Sequence, residues 1–297
     1  MPNTFSYKLQ TFLFLSPWLV VFIIFQIYPI FYSLIISFSD FKAISIKPAE
    51  FIGFSNYLKL LKSRDFQDAF FNSLKFVLGT VPITMLFAII TAILLNRQLR
   101  LNRFYTIAFF APTATSIFVI ATLFTLLYSD DGLFNGVLGF FGIESLRWLK
   151  NPDTSLLSIM IMNIWSSFGF YALVFLAALQ TIPKEHYEIA KLEGAGAMSQ
   201  FFNIVLPHLR PTIIIASIIN SILAFQVFGE IYIMTQGGPI NSTKTLVFFI
   251  YNEAFDNQKM GYASAAAYLV FIFLVVLSLL QIFMFKKRSS YGKALKS

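Results

Sequence analysis

The side chains that most often do chemistry are scarce in this chain. Cysteine is absent, which removes disulfides, thiolate metal sites and cysteine nucleophiles together. The two histidines, His186 and His208, both fall in the polar stretch 180–211. An intramembrane enzyme needs a His/Asp/Ser or His/Glu set converging within its apolar segments. Glu230 is the one carboxylate inside such a segment, and it has no second carboxylate or imidazole in its own segment. Gly238-Pro239-Ile240-Asn241-Ser242-Thr243-Lys244-Thr245 has the outline of a phosphate-binding loop, but Thr243 stands where that loop needs glycine before its lysine. A tight Gly-Gly-Pro turn accounts for the stretch. Neither a catalytic set nor a metal site is expected.

What remains is hydrogen-bonding and aromatic chemistry in apolar surroundings. Asn163, Trp165, Ser166, Ser167, Phe168 and Tyr171 concentrate such groups in one apolar run, and Asn220, Ser221, Gln226 and Glu230 in another. A charged side chain facing lipid at the bilayer centre costs ~2.5–3.5 kcal/mol, so Glu230 points to a protein-lined cavity. Gln226 lies four residues before it, on the same face if the helix is unbroken. Trp165, Phe168 and Tyr171 give a partial aromatic stripe at helical spacing. Amides, hydroxyls and aromatic faces are the groups that bind polyhydroxylated solutes. The candidate solute path is therefore Asn163, Trp165, Ser166, Phe168, Tyr171, Asn220, Gln226 and Glu230.

The elements that must position these groups are membrane helices. Of 297 residues, 57% are hydrophobic and only 12% charged, with a mean hydropathy of +0.73; an average soluble domain carries about 25% charge. Six segments reach the ~20 apolar residues that a spanning helix needs, at about 12–38, 76–95, 104–128, 155–179, 212–235 and 262–285. The fold class expected is an all-α integral membrane protein of six transmembrane helices, one domain over 1–297. Lipid offers no partners to backbone polar groups, which favours helices, and the alternating strands of a barrel are missing. Pro17, Pro29, Pro82 and Pro112 each remove a backbone donor within a span and favour a kink. The first segment exceeds the ~7–15 residues of a signal-peptide core and lacks a small-residue cleavage site, so it is read as a retained helix.

The net charge of +8 fixes the expected orientation. Segments 1–11, 96–103, 180–211 and 286–297 hold twelve of the 22 basic residues, among them Arg97, Arg100, Arg103, Lys286, Lys287, Arg288, Lys293 and Lys296, and three of the 14 acids. Orientation follows Lys/Arg bias in short loops, so these segments are assigned to the cytoplasm and both termini with them. A basic, aromatic-interleaved soluble surface for nucleic acid is missing. On the opposite side, 39–75 carries a stretch from Phe51 to Phe71 with the rough spacing of an amphipathic helix lying at the interface, and 129–154 mixes glycines with Leu and Phe. The loop 180–211 is long for a connector. Pro183 suits a helix start, Lys184–Glu193 reads as a short helix, Gly194 and Gly196 interrupt it, and a second amphipathic stretch runs to Pro207, which is expected to close it.

That loop resembles a known motif. The permease subunits of ABC importers carry an EAA loop of Glu-Ala-Ala, three residues, Gly, nine residues, Ile, one residue, Leu-Pro. Here Glu188-Ile189-Ala190 precedes Gly194 by the same spacing, and Ile204-Val205-Leu206-Pro207 follows it by the same spacing, with Ile189 replacing the first alanine. Phe51-Ile52-Gly53-Phe54-Ser55-Asn56-Tyr57 looks like an element of the carbohydrate-type permeases, as do Thr235-Gln236-Gly237-Gly238-Pro239 with Ser242-Thr243-Lys244-Thr245 and Tyr251-Asn252-Glu253-Ala254-Phe255, and Ala178-Leu179-Gln180-Thr181-Ile182-Pro183. The chain is similar to the maltose-type and glycerol-phosphate-type permeases over nearly its whole length.

The resemblance implies a permease in the bacterial cytoplasmic (inner) membrane that imports a sugar or related polyol. It implies a second homologous permease subunit, two cytoplasmic ATP-binding subunits that hold the ATP and magnesium, and an external solute-binding protein; no cofactor is expected in this chain. Glu188, Ala190, Gly194, Ile204, Leu206 and Pro207 become the expected ATPase-coupling residues, with Leu206-Pro207 ending the contact. The alternative cargo is glycerol phosphate or another anionic solute, which would call for cations in the spans; Lys75, at an edge, is the one available.

Overall fold

The computed structural model describes residues 4–44, 48–97 and 102–289. Arg100, Lys293 and Lys296 lie outside them. Among the described residues the backbone is helical nearly throughout, and the β structure is one isolated antiparallel bridge, Ser39 to Phe51. Five helices among the described residues are long and apolar enough to cross a bilayer, or six if one bent pair counts as a single span. The chain divides into two compact units, Met1–Ser63 with Ile250–Ile272, and Arg64–Phe249 with Phe273–Ser297.

In the first unit, α1 (Thr4–Phe22) and α2 (Tyr28–Ser37) are joined without interruption by a π segment, Ile23–Ile27. Pro29 explains the segment. A proline lacks the N–H that would bond residue i−4, and its ring clashes with that carbonyl; residue i−4 is Phe25, inside the π segment, where the wider turn relieves the clash. After α2 the chain turns on the Phe51–Tyr57 element. The buried Asn56 donates through Nδ2 to the carbonyls of Ser37 (2.9 Å) and Ser39 (3.0 Å), Tyr57 and Ser37 pair their hydroxyls at 2.7 Å, and Gly53 takes the left-handed φ of +56° that this turn requires. The amphipathic helix expected over this stretch is short: α3 (Ser55–Lys62) ends where the next helix begins at Arg64. Gly261, at the start of the last helix, donates to the Phe41 carbonyl at 3.0 Å, and a Cβ there would run into the carbonyls of Ser39 and Ile36.

The second unit is built on α4 (Arg64–Asn96), followed by α5 (Asn102–Ala114), α6 (Ile117–Leu127), α7 (Leu133–Phe140), α8 (Pro152–Leu179), α9 (Lys184–Leu192), α10 (Ala197–Gln200), α11 (Leu206–Phe225), α12 (Gly229–Met234), α13 (Leu246–Tyr251) up to Phe249, and α14 (Met260–Ser289) from Phe273 onward. α4 packs along α8. Phe76, Thr80, Thr84, Ile159, Met162 and Phe175 are all but sealed in this core, and Ser73, Thr80, Thr84 and Thr91 repeat at helical spacing on the buried face of α4. Asn151 caps α8, accepting from the Asp153 N–H at 3.0 Å, with Pro152 in the first turn. Gly169 of α8 lets α5 approach closely, since a Cβ there would collide with the Phe109 carbonyl.

Two of the expected spans are broken. The run 104–128 is not one helix: α5 and α6 meet at 100°. Ser116 adopts an extended ψ of 133°, which no α-helix continues through, and its carbonyl then accepts from Val119 and Ile120 to start α6. The run 212–235 breaks at Gln226–Phe228, between α11 and α12. There the Val227 carbonyl leaves the helix ladder and accepts from the Thr245 hydroxyl at 3.0 Å.

Candidate functional site

The loop 180–211 folds as two helical pieces around a glycine turn. Pro183 occupies the N-cap of α9 and Gly194 its end, with φ +80°. That left-handed residue turns the chain so that the Gly194 N–H reaches the Lys191 carbonyl at 3.0 Å and the Ala195 N–H the Ala190 carbonyl at 2.8 Å. The space around a Cβ at Gly194 is open within this chain, so the glycine is required by its backbone angle rather than by an internal close approach. α10 follows, then a π segment, Phe201–Val205, then α11. Pro207 does not close the second piece, as expected from the sequence; it stands in the first turn of α11. The π segment contains Asn203, its residue i−4, and relieves the same clash as at Pro29.

This fold brings three of the six expected coupling residues together. Ala190, Ile204 and Pro207 line one cavity of about 580 Å³, with His186, Glu193 and His208 also on its wall. His208 Nε2 and the Thr181 hydroxyl lie 2.8 Å apart. Glu188 and Gly194 are exposed, Leu206 half-buried. Ile189 and Leu192, on the same helix, are 55% and 89% exposed, so α9 offers an apolar strip flanked by a carboxylate. Tyr187, whose hydroxyl is pushed above the ordinary phenol range by burial, faces a second, smaller cavity with Arg97 and Phe201.

The candidate path residues are placed less uniformly. Asn163 of α8 donates through Nδ2 to Glu230 Oε1 of α12 at 2.8 Å. Glu230 is 7% exposed. The hydroxyls of Ser166 and Ser167 donate to the Asn163 carbonyl at 2.9 and 2.7 Å. The aromatic stripe does not form. Trp165 packs on Phe124 of α6, and Phe168 on Phe87 of α4 and Phe109 of α5, while Tyr171 is buried beside Phe170. Steps of three residues turn by about 300° at 3.6 residues per turn, so successive rings drift around the helix. Gln226 is exposed whereas Glu230 is buried; the break at 226–228 removes the shared face. Asn220 is buried with Nδ2 unbonded, and its neighbour Ser221 accepts from Gln281 Nε2 of α14 at 3.0 Å.

Other polar residues at these sites were missed by the sequence reading. Asn72 of α4 donates to the carbonyls of Asn241 (2.9 Å) and Lys244 (3.1 Å). Ser73 accepts from the Leu246 N–H at 2.9 Å, and Ser155 of α8 pairs with Ser242 at 3.0 Å. Together with the Thr235–Thr243 hydroxyl pair at 2.7 Å, they fasten the turn 235–246 to two long helices. The repeating Ser/Thr positions of α4 were the one available sign that this helix has a polar buried face.

Residues 84–289 match the family described as binding-protein-dependent transport system inner membrane component. The chain is 36% identical to the probable ABC transporter permease protein YurN of Bacillus subtilis (strain 168), over 94% of this chain and 97% of that one. It is 33% identical to the lactose transport system permease protein LacF of Rhizobium radiobacter, over 95% and 96% respectively. Its fold resembles a chain of the bacterial alginate ABC transporter solved in complex with an alginate pentasaccharide-bound periplasmic protein, with a TM-score of 0.84, 22% identity and 94% of each chain covered.

Proposed function

The chain belongs to the binding-protein-dependent transport system inner membrane components, the multi-pass permease subunits of ABC importers, and on that premise we propose that it forms part of the channel that imports a sugar or related polyol. The observation that carries the cargo class is the 33% identity to a lactose permease over 95% of this chain. The site chemistry supports it. Amides, hydroxyls and aromatic rings dominate the candidate path, its one carboxyl group is Glu230, and the cation available to the spans, Lys75, lies at the edge of its apolar run, which disfavours glycerol phosphate or another anionic cargo.

In this reading an external binding protein delivers the solute to the opening formed with a second, homologous permease. Two cytoplasmic ATPases bind ATP and magnesium and grip the EAA-type loop of each permease; this chain supplies no ATPase motif. Both termini face the cytoplasm, as the Lys/Arg bias indicates. Ile189 and Leu192 of α9 enter an ATPase groove as apolar anchors. Glu188 pairs with a basic residue there through a charge-assisted bond. Ile204 and Pro207 back α9 across the cavity that its Ala190 also lines, and Gly194 and Leu206 fix the turn, so the knob moves as a body when the ATPases close. The experiment is reconstitution of the four membrane and ATPase subunits with the cognate binding protein. ATPase stimulation is measured across mono- and disaccharides, polyols and sugar phosphates. Stimulation by a neutral sugar supports the reading; stimulation by sugar phosphates alone overturns the cargo class.

A further inference from the structure

We propose that Glu230 is a positioning residue, which holds the Asn163 carboxamide with Nδ2 turned away and Oδ1 free to accept a hydroxyl of the cargo. The inference rests on the reading that Asn163 faces the solute path. It reassigns Glu230 from the path wall to the support behind it.

Three observations converge on this role. First, the bond is directional. An amide N–H donates and a carboxyl C=O oxygen accepts, so the 2.8 Å contact from Asn163 Nδ2 to Glu230 Oε1 selects one of the two orientations that a carboxamide could adopt. The carboxylate is buried while the amide is half-buried, which puts the amide on the open side of the pair. Among the described residues Asn163 is the one side chain bonded to Glu230, and no Lys or Arg pairs with it. A carboxyl group buried without a cation is expensive to keep, and among the described residues its one side-chain hydrogen bond is the one that orients this amide.

Second, Glu230 is anchored at a point where two helices break. It lies in the first turn of α12, just after the interruption at Gln226–Phe228. Gly229 beside it packs on the first residues of α6, just after the 100° bend: a Cβ there would stand 3.3 Å from Ile117 Cγ2 and 3.4 Å from Phe118 Cε1. Discontinuous helices of this kind are a recurrent way to place polar groups at mid-membrane depth. Third, the Asn163 carbonyl is itself occupied by the Ser166 and Ser167 hydroxyls. The backbone of α8 is therefore saturated at this turn, and the carboxamide is the part of Asn163 left to meet a solute.

The test is a transport cycle in the reconstituted complex with its cognate sugar. Asn163→Ala and Glu230→Ala are each expected to raise the transport KM roughly fivefold to tenfold, the worth of one hydrogen bond, with the maximal rate much less affected. The double variant is expected to be no worse than either single. Glu230→Gln, which keeps an acceptor at Oε1, restores the KM. Deoxy analogues of the cargo give the signature that a merely structural role would not move: discrimination against the analogue that lacks the recognised hydroxyl disappears equally in Asn163→Ala and Glu230→Ala. If Glu230→Ala does not assemble, Glu230→Met fills the space without an acceptor and is read in its place. A normal KM in the Glu230 variants beside a raised KM in Asn163→Ala overturns the positioning role alone. Additive losses in the double variant overturn it too. A normal KM in Asn163→Ala overturns the reading that Asn163 meets cargo, and the positioning role with it.

Discussion

The loop 184–206 and the turn 235–246 both carry recognisable sequence motifs, yet they are held in opposite ways. The loop is fastened mainly by its own neighbours: Ala195 to Ala190, Gln200 Nε2 to the Ala195 carbonyl at 2.9 Å, Asn203 Nδ2 to the Ser199 carbonyl at 3.0 Å. Ile189, Leu192, Met198 and Phe202 remain exposed. The turn is fastened from far along the chain, by Asn72 and Ser73 of α4 and Ser155 of α8. A region that is locally complete and outwardly apolar is built to be gripped by a partner. A region pinned by distant helices is built to hold those helices in register. Substitutions in the turn should therefore damage the fold, and substitutions in the loop should damage coupling while sparing the fold.

The largest effect is expected for Asn72→Leu. It removes the donor shared by the carbonyls of Asn241 and Lys244; the Asn241 carbonyl keeps the Lys244 N–H at 3.2 Å, but the Lys244 carbonyl is left without its donor, and an unsatisfied buried group costs about 1–3 kcal/mol. A loss of about 1–3 kcal/mol should lower the thermal unfolding temperature of the detergent-purified protein clearly. Limited proteolysis should then cut near the turn. An unchanged unfolding temperature would mean that the turn carries itself, and the contrast with the loop would fail.

Gly194→Val comes next. A β-branched residue at φ +80° costs roughly 1–2 kcal/mol, but the space around the site is open and the strain stays within the α9 turn. Expression and unfolding temperature should fall only slightly while ATPase association, measured by co-purification, is lost. A large fall in unfolding temperature with association intact would reverse the assignment of this loop.

The same contrast explains what could be read from the sequence. The EAA-type spacing of Glu188, Gly194 and Pro207 was legible because the loop's geometry is local, and the glycine and proline carry their own backbone restrictions. Even so, the direction of Pro207 was misread, since a π segment can absorb a proline that a regular helix could not. The apolar runs announced membrane helices, but averaging over ~20 residues hides a break of two or three residues, so the bend at Ser116 and the interruption at 226–228 went unseen. Asn163 and Glu230 were each conspicuous as polar groups in apolar runs. Their pairing was not, because 67 residues separate them and nothing local to either names the other.

Glu188→Lys should cost less than ~0.5 kcal/mol of stability, as is usual for an exposed helix position without internal partners. Its effect should appear only in coupling: co-purification of the ATPase and cargo-stimulated hydrolysis are both expected to drop, because a carboxylate that meets a basic groove becomes a like charge. Retained association would remove Glu188 from the contact and leave the apolar pair Ile189 and Leu192 to explain it.

The smallest effect is expected from a polar contact that belongs to neither kind. Lys150 Nζ donates to Asp130 Oδ2 at 2.7 Å, but both side chains are more than 60% exposed. The hydrogen bond from Lys150, then its charge, holds the Asp130 carboxyl below the usual range. A depressed carboxyl contributes stability that is present above its unfolded value and fades as pH falls through its lowered folded value. Exposed pairs are screened by water and salt and are worth little. The surrounding loop does not depend on this one, because the buried Asn135 already bonds the carbonyls of Ser129, Asp130 and Leu146 and accepts from the Leu146 N–H and Trp148 Nε1. Asp130→Asn should leave the unfolding temperature unchanged at neutral pH and abolish only a slight acid-side dependence, visible when unfolding is followed at low ionic strength. A neutral-pH loss comparable to that of Asn72→Leu would show that an exposed ion pair, rather than buried amides reaching carbonyls, holds this face of the molecule together.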